Sequence, residues 1–286
     1  MNTQELFTVL PQYVLPHHAL SSLMSRLTHC TNPAWKNAFI KTIIRGYGVN
    51  MEEAKYPDLD HYASFNDFFT RELKDGVRPV VTDPRAVACP ADGAVSQAGR
   101  IEGGAIFQAK GHNYTALELL GGDEKRAQAF ENGQFATIYL SPKDYHRLHM
   151  PVTGKLTQMV HVPGRLFSVN NRTVGAVPNL FARNERVVCI FETEVGPMAL
   201  ILVGAIFVSS VETVWQGVVT PPTRREARCW DYGDDAPVLA KGAEMGRFNM
   251  GSTIIVLFGQ DKVDWANDFV AGQPVKLGSA IGQFHS

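Results

Sequence analysis

The sequence predicts an α+β fold: an N-terminal helical layer set on a β-rich body with a barrel-like or sandwich-like arrangement. Three observations carry the expectation. Helical periodicity dominates residues 1–75, the apolar runs from residue 86 onward are short and strand-like, and turn residues separate those runs at short intervals. The change falls in the stretch around Arg78-Pro79 and Asp83-Pro84-Arg85, which has little periodicity, and divides the chain into regions 1–75 and 76–286.

The totals exclude several classes of function. A chain of 286 residues with 45% hydrophobic content can bury a core as one large domain or two small ones. Its 27 Lys and Arg against 28 Asp and Glu leave no basic footprint for nucleic acid. Cys30, Cys89, Cys189 and Cys229 form no Cys-x-x-Cys pair, which argues against a zinc ribbon or a redox motif and favours reduced thiols in a cytosolic setting. Met1 to Glu5 offers no basic n-region for a secretory signal. The longest apolar run, Met198 to Val208, is broken by Gly204 and falls short of the ~20 residues that a spanning helix needs. A soluble or peripheral protein is expected.

In chain order, Leu6, Phe7, Val9, Leu10, Tyr13, Val14 and Leu15 crowd a greasy segment punctuated by Pro11 and Pro16. Leu20, Leu23, Met24 and Leu27 then fall at helical spacing on one stripe. Two readings stay open for this N-terminus: packing on the protein's own core or a second subunit, and lying in a membrane interface. Ser64 to Asp67 resembles an N-cap with an acidic residue three positions on, opening a short helix through Leu73. Strands are expected at 86–89, 135–140, 187–191, 198–208, 211–215 and 253–258, with one helix between Ala116 and Glu131.

Four places carry candidate reactive groups. Asp92, in Pro90-Ala91-Asp92-Gly93-Ala94, is an acid in a turn, where such residues commonly bond their own backbone. His146 and His149 lie three apart in Tyr145-His146-Arg147-Leu148-His149-Met150-Pro151. On a helical turn they would share a face and suggest a metal pair, but no third ligand has a telling spacing and no metal is expected. In extended chain they would point apart and suit separate acid and base tasks. Ser168, Arg183 and Arg186 sit in two Arg- and Asn-containing stretches compatible with an anionic headgroup or with solvated charge. Gly251-Ser252-Thr253 reads locally as a turn, yet a glycine without a Cβ leaves its carbonyl carbon open to the hydroxyl that follows.

Taken together, Ala91-Asp92-Gly93, Tyr145 to Pro151, Asn179 to Arg186 and Met250-Gly251-Ser252-Thr253 resemble the phosphatidylserine decarboxylases. Further matches are Phe68-Phe69-Thr70-Arg71, Gln108 to Tyr114 and Glu212-Thr213-Val214-Trp215, so the resemblance runs from about residue 40 to 260. One departure is Met250, where the family commonly has Leu, an apolar exchange of similar volume.

The resemblance implies a proenzyme that cuts itself before Ser252, giving a β chain 1–251 and an α chain 252–286. Ser252 becomes a covalent pyruvoyl group, with His149 as the base and Asp92 as its orienting acid. The pyruvoyl group forms a Schiff base with phosphatidylserine, His146 supplies the proton, and phosphatidylethanolamine and carbon dioxide leave. The resemblance further implies a peripheral enzyme on the cytoplasmic face of the cell membrane, paired as a dimer of αβ units. Other readings are a pyruvoyl decarboxylase for a soluble amino acid, which leaves the greasy N-terminus unexplained, and a β-barrel lipid- or carrier-binding module whose Gly-Ser-Thr is only a turn.

Overall fold

A computed structural model describes residues 3–207, 210–221, 226–250 and 252–285, the side chains of 3–8 and of Ser252 excepted. Three helices open the chain: α1 (Thr3–Val14), α2 (His17–Thr28) and α3 (Pro33–Tyr47). The last is delimited by local chemistry. The Asn32 side chain accepts the N–H groups of Ala34 and Trp35, Pro33 occupies the first turn, and Gly48 closes the helix at φ 70°.

Helix α4 (Phe65–Phe69) begins with the reciprocal Ser64–Asp67 capping box expected from the sequence, but it ends four residues before Leu73. The Thr70 hydroxyl donates back to the Asn66 carbonyl, and Leu73 is drawn into an antiparallel bridge with Ala54. The helix expected between Ala116 and Glu131 is likewise two short pieces, Ala116–Leu119 and Glu124–Gln128. Gly121 and Gly122, at φ 89° and 83°, separate them, and a Cβ on Gly121 would meet Val162 at 2.9 Å.

The body is built on an open sheet, nine-stranded among the described residues, and every neighbouring pair in it is antiparallel. Its central strand is Ser252–Phe258, flanked by Gln134–Leu140 on one side and Gly196–Val203 on the other. Beyond Gln134–Leu140 lies Gly93–Arg100; beyond Gly196–Val203 lie Arg186–Thr193 and Gly154–Val162. The expected run 198–208 stops at Val203, where Gly204 donates its N–H to the Glu185 carbonyl and takes the chain out of the ladder.

The central strands of this sheet, 134–140, 186–193, 196–203 and 252–258, are largely buried on both faces, which explains why they read as nearly continuous apolar runs. Ile254, Val256 and Phe258 face one core, shared with Leu148, Val211, Met245, Phe248 and Ile281 from two smaller sheets. Ile255 and Leu257 face a second core containing Leu119, Val174, Leu180 and Phe181 from short helices. A third cluster joins Ile40 of α3 to Phe65, Phe68 and Phe69 of α4, with Met250 packed against it. The helical layer thereby rests on the residue just upstream of the central strand.

Ile255, fully buried at the sheet centre, provides the test of this arrangement. Ile255→Val is expected to lose about 0.5–1.5 kcal/mol and Ile255→Ala about 2–5 kcal/mol. Urea unfolding measures both, and equal midpoints for the two variants would contradict the packing described.

Candidate active site

Ser252 starts the central strand, and its backbone is the register partner of Leu140. The next row aligns Thr253 with Tyr139 on one side and Val203 on the other, and Val203 in turn with Arg186. Gly251 and the Ser252 side chain lie outside the described residues. The chain reaches Ser252 from strand Glu244–Asn249, which belongs to a four-stranded sheet beside Arg147–His149 and Ser210–Thr213. The crossing from one sheet to the other includes Met250 at φ 92°, a backbone region that non-glycine residues occupy at a cost of about 1–3 kcal/mol.

Asn249 anchors this crossing. Its side chain accepts from Asn66 Nδ2 at 3.0 Å and donates to Glu212 Oε1 at 3.0 Å and to Ser210 Oγ. Nothing in the local sequence pattern around Asn66 and Asn249 marks this contact, because 183 positions separate the two residues.

The loop that leaves the sheet after Leu140 brings His146 beside the same strand end. His146 is fully buried; its Nε2 lies 3.1 Å from the Ser141 carbonyl and its ring stacks on Phe69 at 4.0 Å. Pairing with a carbonyl makes Nε2 the protonated nitrogen, so Nδ1 carries the lone pair, and it has no partner. Burial, reinforced by the Arg71 guanidinium, pushes the His146 pKa down to about 3.

Arg147–His149 is a strand, so the extended reading of the two histidines describes their backbone. His149 Nδ1 sits 2.8 Å from the Gly242 carbonyl and is protonated by the same logic. This leaves Nε2 basic, with the Tyr145 hydroxyl 3.3 Å away as its donor. Burial, only partly offset by the Gly242 hydrogen bond, lowers the His149 pKa.

Asp92 lies close by in the chain's weave, since the His149 N–H donates to the Pro90 carbonyl at 2.9 Å. Its carboxylate is taken by other partners. Arg78 donates Nε to Oδ1 at 2.9 Å and Nη2 to Oδ2 at 2.7 Å, Leu277 N–H donates to Oδ1 at 2.8 Å, and Lys276 Nζ lies 3.4 Å from Oδ2. Among the described residues no hydrogen bond joins the Asp92 carboxylate to His149. Burial alone would raise the Asp92 pKa; the Arg78 and Leu277 hydrogen bonds outweigh it and hold the group below the usual carboxylate value. Asp92 is therefore ionised at neutral pH.

Of the remaining sequence-predicted residues, Ser168 and Arg183 meet the end of α1. Ser168 N–H donates to Gln12 Oε1 at 2.9 Å, and the exposed Arg183 guanidinium lies 5.5 Å from the Tyr13 ring centre and 5.0 Å from that of Phe167. Arg186 is buried, and its guanidinium donates to the carbonyls of Leu119, Ala182, Asn184 and Glu118. Arg71, Arg78, Tyr145 and Asn66 were not singled out by sequence reasoning. Arg71 closes the Phe68-Phe69-Thr70-Arg71 motif, whose pairing of aromatic rings with a cation was the available signal.

The family described as phosphatidylserine decarboxylase matches residues 65–283, and a second family description, PSD, matches residues 7–48. A phosphatidylserine decarboxylase proenzyme of Pseudomonas fluorescens strain Pf-5 is 59% identical over 277 residues, 96% of either chain. The protein of the same description from Stutzerimonas stutzeri is 57% identical over 96% of this chain and 93% of its own. The one from Ectopseudomonas mendocina is 57% identical over 98% of both. Extended over most of both sequences, this similarity means that the chain belongs to the phosphatidylserine decarboxylase family.

Proposed function

We propose that the chain is a proenzyme that cuts itself between Gly251 and Ser252 and then decarboxylates phosphatidylserine to phosphatidylethanolamine and carbon dioxide. The observation that carries this reading is the family match across residues 65–283, which includes every residue of the proposed chemistry. The geometry supports it. The buried histidine with a free nitrogen leaves the sheet beside the register partner of Ser252, and the strand of the second histidine is hydrogen-bonded to the segment that leads into Gly251.

In maturation, the Ser252 hydroxyl attacks the Gly251 carbonyl carbon and the amide becomes an ester. Loss of the Ser252 α-proton then expels the Gly251 carboxylate, and hydrolysis of the resulting dehydroalanine releases ammonia. His149 is the base, through the Nε2 lone pair that the Gly242 carbonyl fixes. Asp92 supports it electrostatically: an ionised carboxylate near the ring favours the imidazolium that forms. Met250, held in left-handed backbone between the Asn249 anchor and the aromatic cluster, presents the scissile segment under strain.

The pyruvoyl group left at position 252 supplies an electrophilic carbonyl that accepts the electrons released with carbon dioxide. An orphaned, fully buried His146 Nδ1, with its lone pair beside the strand end, fits a centre where the substrate ammonium gives up a proton as it condenses with that carbonyl. His146 Nδ1 passes that proton to the former α-carbon once carbon dioxide has left, and its burial behind Phe69 keeps water from competing. Ser168 and Arg183 face the headgroup, while Arg186, through its four carbonyl bonds, ties the start of its strand to the carbonyls of Glu118, Leu119, Ala182 and Asn184. The two regions divide the work, 76–286 carrying the chemistry and 1–75 the contact with lipid.

The helical layer supports the membrane assignment by an inversion of the usual pattern. On α2 the buried positions are His17, Ser21 and Thr28, whereas of the apolar stripe Leu23 is 54% exposed and Leu20, Met24 and Leu27 are only half-buried. Leu10 and Val14 on α1 are 51% and 83% exposed. A greasy face turned outward on short helices suits an interfacial position, and among the described residues no helix is long and apolar enough to cross a membrane. The αβ unit sits peripherally on the cytoplasmic face, paired as a dimer.

Three outcomes test the reading. Ser252→Ala is expected to give one uncut, folded, inactive chain by mass spectrometry, and His149→Ala to remain uncut as well; two fragments from either would remove that residue from maturation. His146→Ala is expected to cut normally while turnover falls by about 10²–10⁴-fold, the usual worth of a general acid; turnover near wild type would reassign the proton donor. Leu10→Asp with Val14→Asp is expected to reduce co-sedimentation with anionic liposomes at unchanged thermal midpoint, and undiminished binding would move the membrane face elsewhere.

A further inference from the structure

Arg71 is only 4% exposed, yet most of its guanidinium is unused. Nη2 donates to the Lys143 carbonyl at 3.1 Å, while Nε and Nη1 have no acceptor. Those two nitrogens carry three of the five N–H groups of an arginine. Among the described residues no carboxylate lies within ion-pair distance of Arg71. The acids around it are otherwise engaged: Asp92 and Glu53 are bound by Arg78, and Asp144 accepts the Ser141 N–H at 2.7 Å. A buried cation with idle donors is among the costliest arrangements in a protein interior, and such groups are retained where a ligand satisfies them.

The position of Arg71 names the ligand. It lines a cavity of about 180 Å³ with Lys143, Tyr145 and Lys276 and with the acids Glu53, Asp92 and Asp144. The loop that follows Leu140 holds Arg71 through the Lys143 carbonyl and His146 through the Ser141 carbonyl. The adjacent rings of Phe68 and Phe69 back the two side chains in turn, at 5.3 Å from the guanidinium and 4.0 Å from the imidazole. Arg71 thus stands beside the proposed proton donor, at the strand end where Ser252 begins.

Resting on the function proposed above, we infer that Arg71 binds the phosphodiester anion of the lipid headgroup and so fixes the reacting α-carbon against His146. In the serine headgroup only the β-carbon and one oxygen separate that α-carbon from phosphorus, so a phosphate contact and a proton donor must lie side by side. The carboxylate is the less suitable anion for Arg71. An ion pair to it would stabilise the ground state and be lost as neutral carbon dioxide departs, whereas the phosphodiester keeps its charge throughout. Guanidinium forks also match phosphate oxygens in geometry. Anion binding has a second effect: it offsets the Arg71 charge that, with burial, disfavours the imidazolium form of His146.

Arg71→Met and Arg71→Lys, assayed with short-chain phosphatidylserine and with short-chain phosphatidylethanolamine as product inhibitor, test the inference. The product retains the phosphodiester and lacks the carboxylate, so the two anions are separated. Both variants are expected to cut normally. For Arg71→Met the KM for substrate and the inhibition constant of product should both rise about ten- to hundredfold, with a smaller rise in both for Arg71→Lys. A raised KM with unchanged product inhibition would assign Arg71 to the carboxylate and overturn the proposal, as would unchanged values of both or a folded variant that fails to cut. Should Arg71→Met not fold, the same two constants for Arg71→Lys decide. Failure of the wild-type chain to cut or turn over would instead overturn the parent reading, leaving the two tests distinct.

Discussion

Strand Ser252–Phe258 is hydrogen-bonded along both edges, to Gln134–Leu140 and to Gly196–Val203, and buried on both faces. The position of every other group at the site follows from that register. The loop bearing His146 begins where Leu140 meets Ser252, and Arg186 starts the strand that meets Val203 one row away. A slip of one residue would exchange the two faces of the strand and carry Ile254 and Ile255 into each other's cores. Side chains such as Ile254 and Leu257, worth about 1.5–3 kcal/mol each when fully buried, therefore also specify where residue 252 lies.

Much of this is legible in the sequence. The apolar runs at 135–140, 187–191 and 253–258 stood out because burial on both faces removes the alternation that makes other strands faint. Gly154–Val162 and Glu244–Asn249 escaped notice for the converse reason: they carry Gly, Lys, Gln, Arg and Asn among their apolar residues and are only partly buried. The capping box at Ser64 was readable because it is local, and the early end of α4 was not, since a bridge to Ala54 helps set it. The reactive types Asp92, His146, His149 and Ser252 drew attention by chemistry and motif. Their partners Arg78, Gly242, Leu277 and Asn249 did not, because contacts between residues 14 to 185 positions apart leave no periodic trace.

The helical layer shows how packing can override a helical wheel. Helix α2 has a regular apolar stripe, yet its polar His17 and Ser21 are buried against the body, where His17 Nδ1 accepts the Leu166 N–H. Amphipathicity establishes that a helix has two faces, while the chemistry of what lies on either side decides their orientation. Here the polar His17 and Ser21 meet the body, and of the stripe Leu23 is exposed while Leu20, Met24 and Leu27 are half-buried.

Asp92 accepts the Leu277 N–H and pairs with Lys276, both in the segment downstream of Ser252, while Arg78, which holds Asp92 from the other side, lies upstream. On the proposed maturation these contacts become bridges between two separate polypeptides, joined also by the ladders of the central strand. The downstream piece, 35 residues from Ser252 to Ser286, is too short to fold alone. Cutting before assembly would release a sticky peptide and a body with an unfilled slot. Because the strand that Ser252 starts is held only in the finished sheet, the proposed reaction would act as an inspection step: a chain would become an enzyme only after it has folded.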